Sequence, residues 1–268
     1  MNSLIEEKIS MNKKKFIPLI FTLALIIGFS KPSFLLAQSV NDLKIMTEIY
    51  PPYNYEEKEE LKGISVDLTV LMLKKLNSKL TRDDIKLMPW ARGYRTVLNE
   101  KNTVLFSTTR TKEREKHFKW VGPITPTTIS VFARNEKNIK INKIVDIINY
   151  RTGVVIDDIG EQLLVNARIP LIKLDRIGGV DVIHQSIRKL NKNRIDLFAY
   201  EENAVKWEIK AKGFAPDEYE VVYTLKKGEL YYVLHKDTPD SLIQTLQNAL
   251  DEIKKEGEYQ KIVEKYLK

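Results

Sequence analysis

Residues 43–106 read LKIMTEIYPPYNYEEKEELKGISVDLTVLMLKKLNSKLTRDDIKLMPWARGYRTVLNEKNTVLF. Leu43–Glu48 is a short apolar-rich strand. Gly63–Leu80 places Ile64, Leu68, Leu71, Met72 and Leu76 at the spacing of one helical face. Ile85–Leu87 and Thr103–Phe106 read as strands, with Ala91–Leu98 helical between them. The order βαβαβ predicts a parallel sheet with helices on both faces, an α/β architecture.

A second set follows Ala133. Ile141–Ile148 reads as a helix, Gly153–Ile156 as a strand, Gly160–Ala167 as a helix and Leu171–Leu174 as a strand. Val180–Leu190 is helical, Ile195–Ala199 a strand and Asn203–Ala211 a helix. Two β-rich runs, Glu220–Leu225 and Glu229–Leu234, precede helices Ser241–Lys255 and Tyr259–Tyr266. Ile129–Arg134 and Tyr219–Leu225 bracket this second set and both look extended. Taken as a crossing pair, they make residues 131–223 a second lobe inserted into a first lobe of 38–130 and 224–268. The predicted fold is two Rossmann-like lobes joined by two crossing hinge strands, with a cleft between them. Ligands of open parallel sheets sit beyond the carboxyl ends of the strands, so the loops after each strand are the candidate site.

In the other direction, residues 1–37 read as a secretory signal. Lys13, Lys14 and Lys15 precede the apolar run FIPLIFTLALIIGF, Phe16–Phe29, and Ser33–Ala37 leads to a cut before Gln38. Fourteen residues are too few for a spanning helix, which needs about 20. No cysteine follows the run, so the expected product is a periplasmic protein without a lipid anchor.

The chain has no cysteine at all, which excludes disulfides, thiolate zinc sites and cysteine nucleophiles. Its three histidines are far apart and show no metal-ligand spacing, so no metal or other cofactor is expected. The formal charge is +8; removing five lysines and two glutamates with residues 1–37 leaves (44 − 5) − (36 − 2), or +5. That excess is spread over helices as solvated faces, and an exported protein rarely meets nucleic acid. Nothing in the pattern suggests self-association, so a monomer is expected.

The loop after the first strand carries Tyr50, Tyr53 and Tyr55 between stiffening prolines. These rings are either a stacking surface for a small ligand or a cap on the sheet edge. After the third strand runs Ser107-Thr108-Thr109-Arg110-Thr111-Lys112-Glu113-Arg114-Glu115. Thr111 suits an N-cap, with Arg114 at the third helical position. Hydroxyls, free backbone N–H groups and a guanidinium would then converge as a carboxylate grip, unless Arg114 merely pairs with a neighbouring Glu.

Four stretches in register carry a resemblance: YPPYNYEEKEELKGISVDL (50–68), FSTTRTKEREKHFKWVGPI (106–124), TGVVIDDIGEQLL (152–164) and RIDLFAYEENA (194–204). Together they resemble family 3 of the solute-binding proteins, the extracytoplasmic receptors of polar amino-acid ABC importers. The resemblance implies the type II periplasmic binding fold over residues 41–268. It assigns the ligand's α-carboxylate to Ser107, Thr109 and Arg114, an aromatic contact to Tyr50, and the α-ammonium to Glu201. The sequence departs from the family at Asp157-Asp158, where a Gly-Thr/Ser-Thr loop usually stands. Asp158 is then either a ligand contact or only a helix cap. Pro89-Trp90-Ala91-Arg92 also departs: Trp90 and Arg92 could stack on and pair with a ligand, or be packing and surface charge. Acids at 157, 158 and 201 and cations at 92, 110 and 114 leave the ligand's net charge open.

The resemblance implies a non-catalytic receptor that delivers a small zwitterion, an amino acid or derivative, to an ABC permease. Two alternatives are a periplasmic cyclohexadienyl-type dehydratase and a protein presenting its ligand to a membrane sensor.

Overall fold

The computed structural model describes residues 39–267; the expected signal at 1–37 lies outside them. Lys44–Thr47 (β1), Lys86–Leu87 (β4) and Thr103–Thr109 (β5) form a parallel group. Thr152–Val155 (β7), Leu174–Ile177 (β8) and Leu197–Glu201 (β9) form a second. Two 17-residue strands, Phe118–Arg134 (β6) and Tyr219–His235 (β10), pair antiparallel along their whole length, from His235 opposite Phe118 to Tyr219 opposite Arg134. β5 joins β10 through Leu230–Leu234, and β9 joins β6 through Ile129–Ala133. The result is one eight-stranded sheet in the order β4-β1-β5-β10-β6-β9-β7-β8. Each parallel half is a Rossmann-like lobe, and only the long antiparallel pair belongs to both.

Helices Ile64–Lys75 (α1) and Trp90–Asn99 (α2) serve the first half; Ile159–Asn166 (α4), Val182–Asn191 (α5) and Glu202–Ala211 (α6) serve the second. Lys112–Glu115 (α3) is a single turn after β5, and Asp240–Lys255 (α7) and Glu258–Leu267 (α8) close the chain over α1. Burial follows the periodicities that predicted these elements. Ile64, Leu68 and Met72 of α1 are buried, as are Ile183 and Ile187 of α5. All seven residues of β5 are buried, as a strand between two covered faces requires.

Four expectations need correction. Leu171–Leu174 is not a strand. Leu171–Lys173 is a 3-10 turn behind Pro170, its Ile172 92% exposed, and the strand begins at Leu174. Ile141–Ile148 is only a 3-10 segment at Ile144–Asn149. The runs Glu220–Leu225 and Glu229–Leu234 are one strand, because Lys226–Gly228 stay paired with Thr127–Ile129 through register shifts. The α1 helix stops at Lys75, short of Leu80, with Asn77 at φ 50 ending it. The hairpin Tyr55–Glu57 (β2) to Glu60–Lys62 (β3) was not expected; Lys58 and Glu59 turn it at positive φ without a glycine.

Candidate functional site

The carboxyl ends of β1, β5, β7 and β9 face one another across the junction of the two halves. From β1 the chain runs through Glu48 into the loop of Tyr50 and Tyr53. Asn54 pins that loop, bonding Glu48 O through Nδ2 at 2.6 Å. Ser107, at φ 62, turns its hydroxyl inward to Asn54 Oδ1 (2.5 Å) and Ser65 Oγ (2.9 Å). Its hydroxyl is therefore spent holding the β1 loop to the start of α1. Thr108 is buried with its hydroxyl unpartnered, and Thr109 contributes its carbonyl to Arg114.

Thr111 caps α3, accepting from Arg114 N at 3.3 Å, and so sets the origin of the Arg114 side chain. Arg114 is 1% exposed. Its guanidinium touches both halves: NH1 donates to Thr109 O at 3.2 Å, Nε to Gln162 Oε1 at 3.0 Å and NH2 to Asp157 O at 3.5 Å. It lies over the rings of Trp90 (5.4 Å) and Tyr94 (5.1 Å). Three of its five N–H donors are engaged and two remain for an anion. The pairing of Arg114 with a neighbouring Glu, weighed above, does not occur; that role falls to Arg110, which grips Glu115 at 2.6 and 2.9 Å.

Trp90 opens α2, buried, and its Nε1 donates to Asp157 O at 3.0 Å across the junction. Arg92 is not brought to this cluster: it is exposed, in a groove lined only by residues around α2. Asp157 turns outward, its carboxylate on Arg95 (2.8 Å) and Arg176 (3.7 Å). Asp158 turns inward at the N-cap position of α4, buried, without a side-chain capping bond of good geometry. Burial raises its carboxyl, while the Arg114 charge and the N–H groups of Ile159 and Gly160 draw it down.

Glu201 ends β9 and caps α6, Oε2 accepting from Ala204 N at 2.7 Å. Its Oε1 accepts from Tyr53 Oη at 3.1 Å, and Asn203 Nδ2 donates to the same Tyr53 oxygen at 3.0 Å. Burial pushes the Glu201 carboxyl up to about 7, with its hydrogen bonds acting the other way. Tyr50 lies 5.2 Å from the Tyr53 ring and 5.5 Å from that of Tyr200.

Reasoning from sequence missed Glu48, Gln162, Tyr200 and Asn203. Tyr200 had a signal: it alternates with Phe198 on one face of β9, and the two rings stack 5.4 Å apart. Glu48 had none, since an acid at a strand end reads as solvated. It is 6% exposed, and burial, then Asp158, raise its carboxyl while Arg114 lowers it.

Among the described residues no helix is long and apolar enough to cross a membrane. No curated protein matches the chain. Among solved structures, a mutant of ArgBP from T. maritima superposes with a TM-score of 0.72 at 19% identity, covering 84% of this chain and 94% of that one. An ancestral arginine-binding protein bound to arginine gives 0.70 at 21%, covering 84% and 98%. A histidine kinase sensor domain with similarity to periplasmic binding proteins gives 0.74 at 16%, covering 84% and 95%. These likenesses establish the type II periplasmic binding fold. The sequence profile of the bacterial extracellular solute-binding proteins, family 3, matches residues 43–268, and the chain belongs to that family.

Proposed function

We propose that this chain is a periplasmic receptor that captures a small zwitterion, an amino acid or derivative, and hands it to an ABC importer. The signal over 1–37 would be cleaved on export. Residues 38–130 with 224–268 would form one lobe and 131–223 the other, turning about β6 and β10. The observation that carries the reading is Arg114, buried at the junction with two N–H donors uncommitted and partners from both halves. A carboxylate suits those donors. Glu201, at the end of β9, suits an ammonium group, and Tyr50 and Trp90 offer apolar surface. Closing on a ligand with both charges is a population shift equal to its preference for the closed form.

A thermal-shift screen of residues 38–268, refolded free of ligand, tests this. An amino acid at about 100 times its dissociation constant should add roughly 2.7 kcal/mol, a rise of several degrees. A panel without any shift would remove the receptor reading.

A second reading, a dehydratase of cyclohexadienyl acids, would use Glu201, buried at the end of β9 beside the Tyr53 hydroxyl, as its general acid. Turnover of such an acid, abolished in Glu201→Gln, would establish it.

A further inference from the structure

Of the three tyrosines after β1, Tyr50 and Tyr53 are buried in the site and Tyr55 is not. Tyr55 opens the β2–β3 hairpin and is half-buried. That hairpin is fastened to the first half of the sheet. Arg82 NH1 donates to Leu61 O of β3 at 2.7 Å, and its NH2 to Asp67 Oδ1 of α1 at 2.9 Å. Asp67 Oδ2 accepts from Lys265 Nζ and Tyr266 Oη of α8, each at 2.7 Å. The Tyr266 ring stands edge-on to Tyr55, their centroids 6.3 Å apart. Tyr55 is thereby backed by α8, itself tied to α1.

Its other aromatic neighbour belongs to the second half. The Trp207 ring of α6 lies 5.0 Å from that of Tyr55, tilted by 46°. Asn203 and Trp207 are four residues apart on α6 and so share one face of the helix. Asn203 Nδ2 meets Tyr53 Oη at 3.0 Å, so this face runs along the β1 loop from the buried Tyr53 to the half-buried Tyr55. At the Tyr53 end the contact adjoins Glu201 and the ligand charges. At the Tyr55 end it is ring against ring. An aromatic pair at this spacing is worth a factor of roughly 2 to 12 in an equilibrium constant beyond its buried area. Rings that bridge the two halves touch only while the halves stand together, so their attraction favours the closed form alone.

We propose that Tyr55 and Trp207 are positioning residues, an aromatic latch that holds the closed form and so sets ligand affinity and residence time without touching the ligand. The proposal rests on the receptor reading and adds to it residues outside the buried site.

The test is calorimetric titration of ligand-free residues 38–268 with each common L-amino acid, with dissociation rates from stopped-flow displacement. It compares wild type with Tyr55→Ala, Trp207→Ala, the double variant and Tyr55→Phe. Each alanine variant should bind roughly 2- to 12-fold more weakly, through faster dissociation. The double variant should bind little more weakly than the weaker single one, as two residues acting through one contact require. Tyr55→Phe keeps the ring and should bind as wild type does. Unchanged affinity in the alanine variants, or losses that simply add in the double variant, would overturn the latch and leave the receptor reading intact. A wild type that binds no amino acid would overturn the receptor reading. In that case, or if an alanine variant fails to fold, cross-linking decides the latch. Tyr55→Cys with Trp207→Cys places two thiols in a chain that has no other. Their joining by a short bis-maleimide in the ligand-free protein would support the contact between the halves, and failure to join would overturn it.

Discussion

Tyr53 and Glu201, 148 positions apart in the chain, share a buried hydrogen bond of 3.1 Å between the loop after β1 and the end of β9. The bond ties one half of the sheet to the other and exists only while the halves stand together. Replacing Tyr53 by Phe keeps the ring and removes the donor, leaving Glu201 Oε1 short of a partner in the closed form. A buried acceptor left unmet costs about 1–3 kcal/mol, so ligand affinity should fall roughly 5- to 150-fold. Titration of Tyr53→Phe checks this; unchanged affinity would mean the bond plays no part in closure.

Closure without ligand should depend on pH. Burial raises the carboxyls of Glu201, to about 7, and of Glu48 and Asp158. A raised carboxyl holds more protons closed than open, so the closed form loses stability as pH rises from the solvated carboxylate range through about 7. Small-angle scattering of the ligand-free protein should therefore show a larger radius of gyration near pH 8 than near pH 5. Glu201→Gln should shrink that difference, and a radius independent of pH in the wild type would refute the linkage.

Arg95 offers a contrast. It reaches Asp157 across the same junction with bonds of 3.0 and 2.8 Å, but its side chain is 65% exposed. Exposed pairs contribute about 0–1 kcal/mol, so Arg95→Ala should change affinity less than about fivefold. A loss as large as that of an Arg114 variant would move the energetic centre of closure to the rim.

Gly63 is where the backbone leaves least room. At φ 120, a Cβ there would lie 2.3 Å from Tyr53 O. Gly63→Ala should lower stability by roughly 1–3 kcal/mol from backbone strain alone, read as a lower urea midpoint at unchanged slope. Because the clash displaces the Tyr53 loop, ligand affinity should drop as well. Wild-type stability in this variant would mean the loop yields freely.

These sites were unequally legible in the sequence. The two α/β lobes followed from apolar periodicity, and Arg114 from a hydroxyl-rich strand end before an N-cap threonine, because both are local patterns. The continuity of β10 was hidden by Lys226-Lys227-Gly228, which resembles a turn and is held in the sheet by β6, a partner distant in sequence. The β2–β3 hairpin was masked by a run of charge whose turn residues adopt positive φ without the usual glycine. Ser107 was recognised by type but faces Asn54 and Ser65, since its own φ of 62 reverses the strand's alternation. Glu48 was invisible because only assembly of the two halves buries it.

The most direct measurement is calorimetric titration of ligand-free residues 38–268 with each common L-amino acid, repeated on Arg114→Ala. The account predicts one-to-one binding of at least one of them, weakened about 30-fold or more in the variant, as loss of one partner of a buried charge pair requires. Binding that survives intact in Arg114→Ala would contradict it.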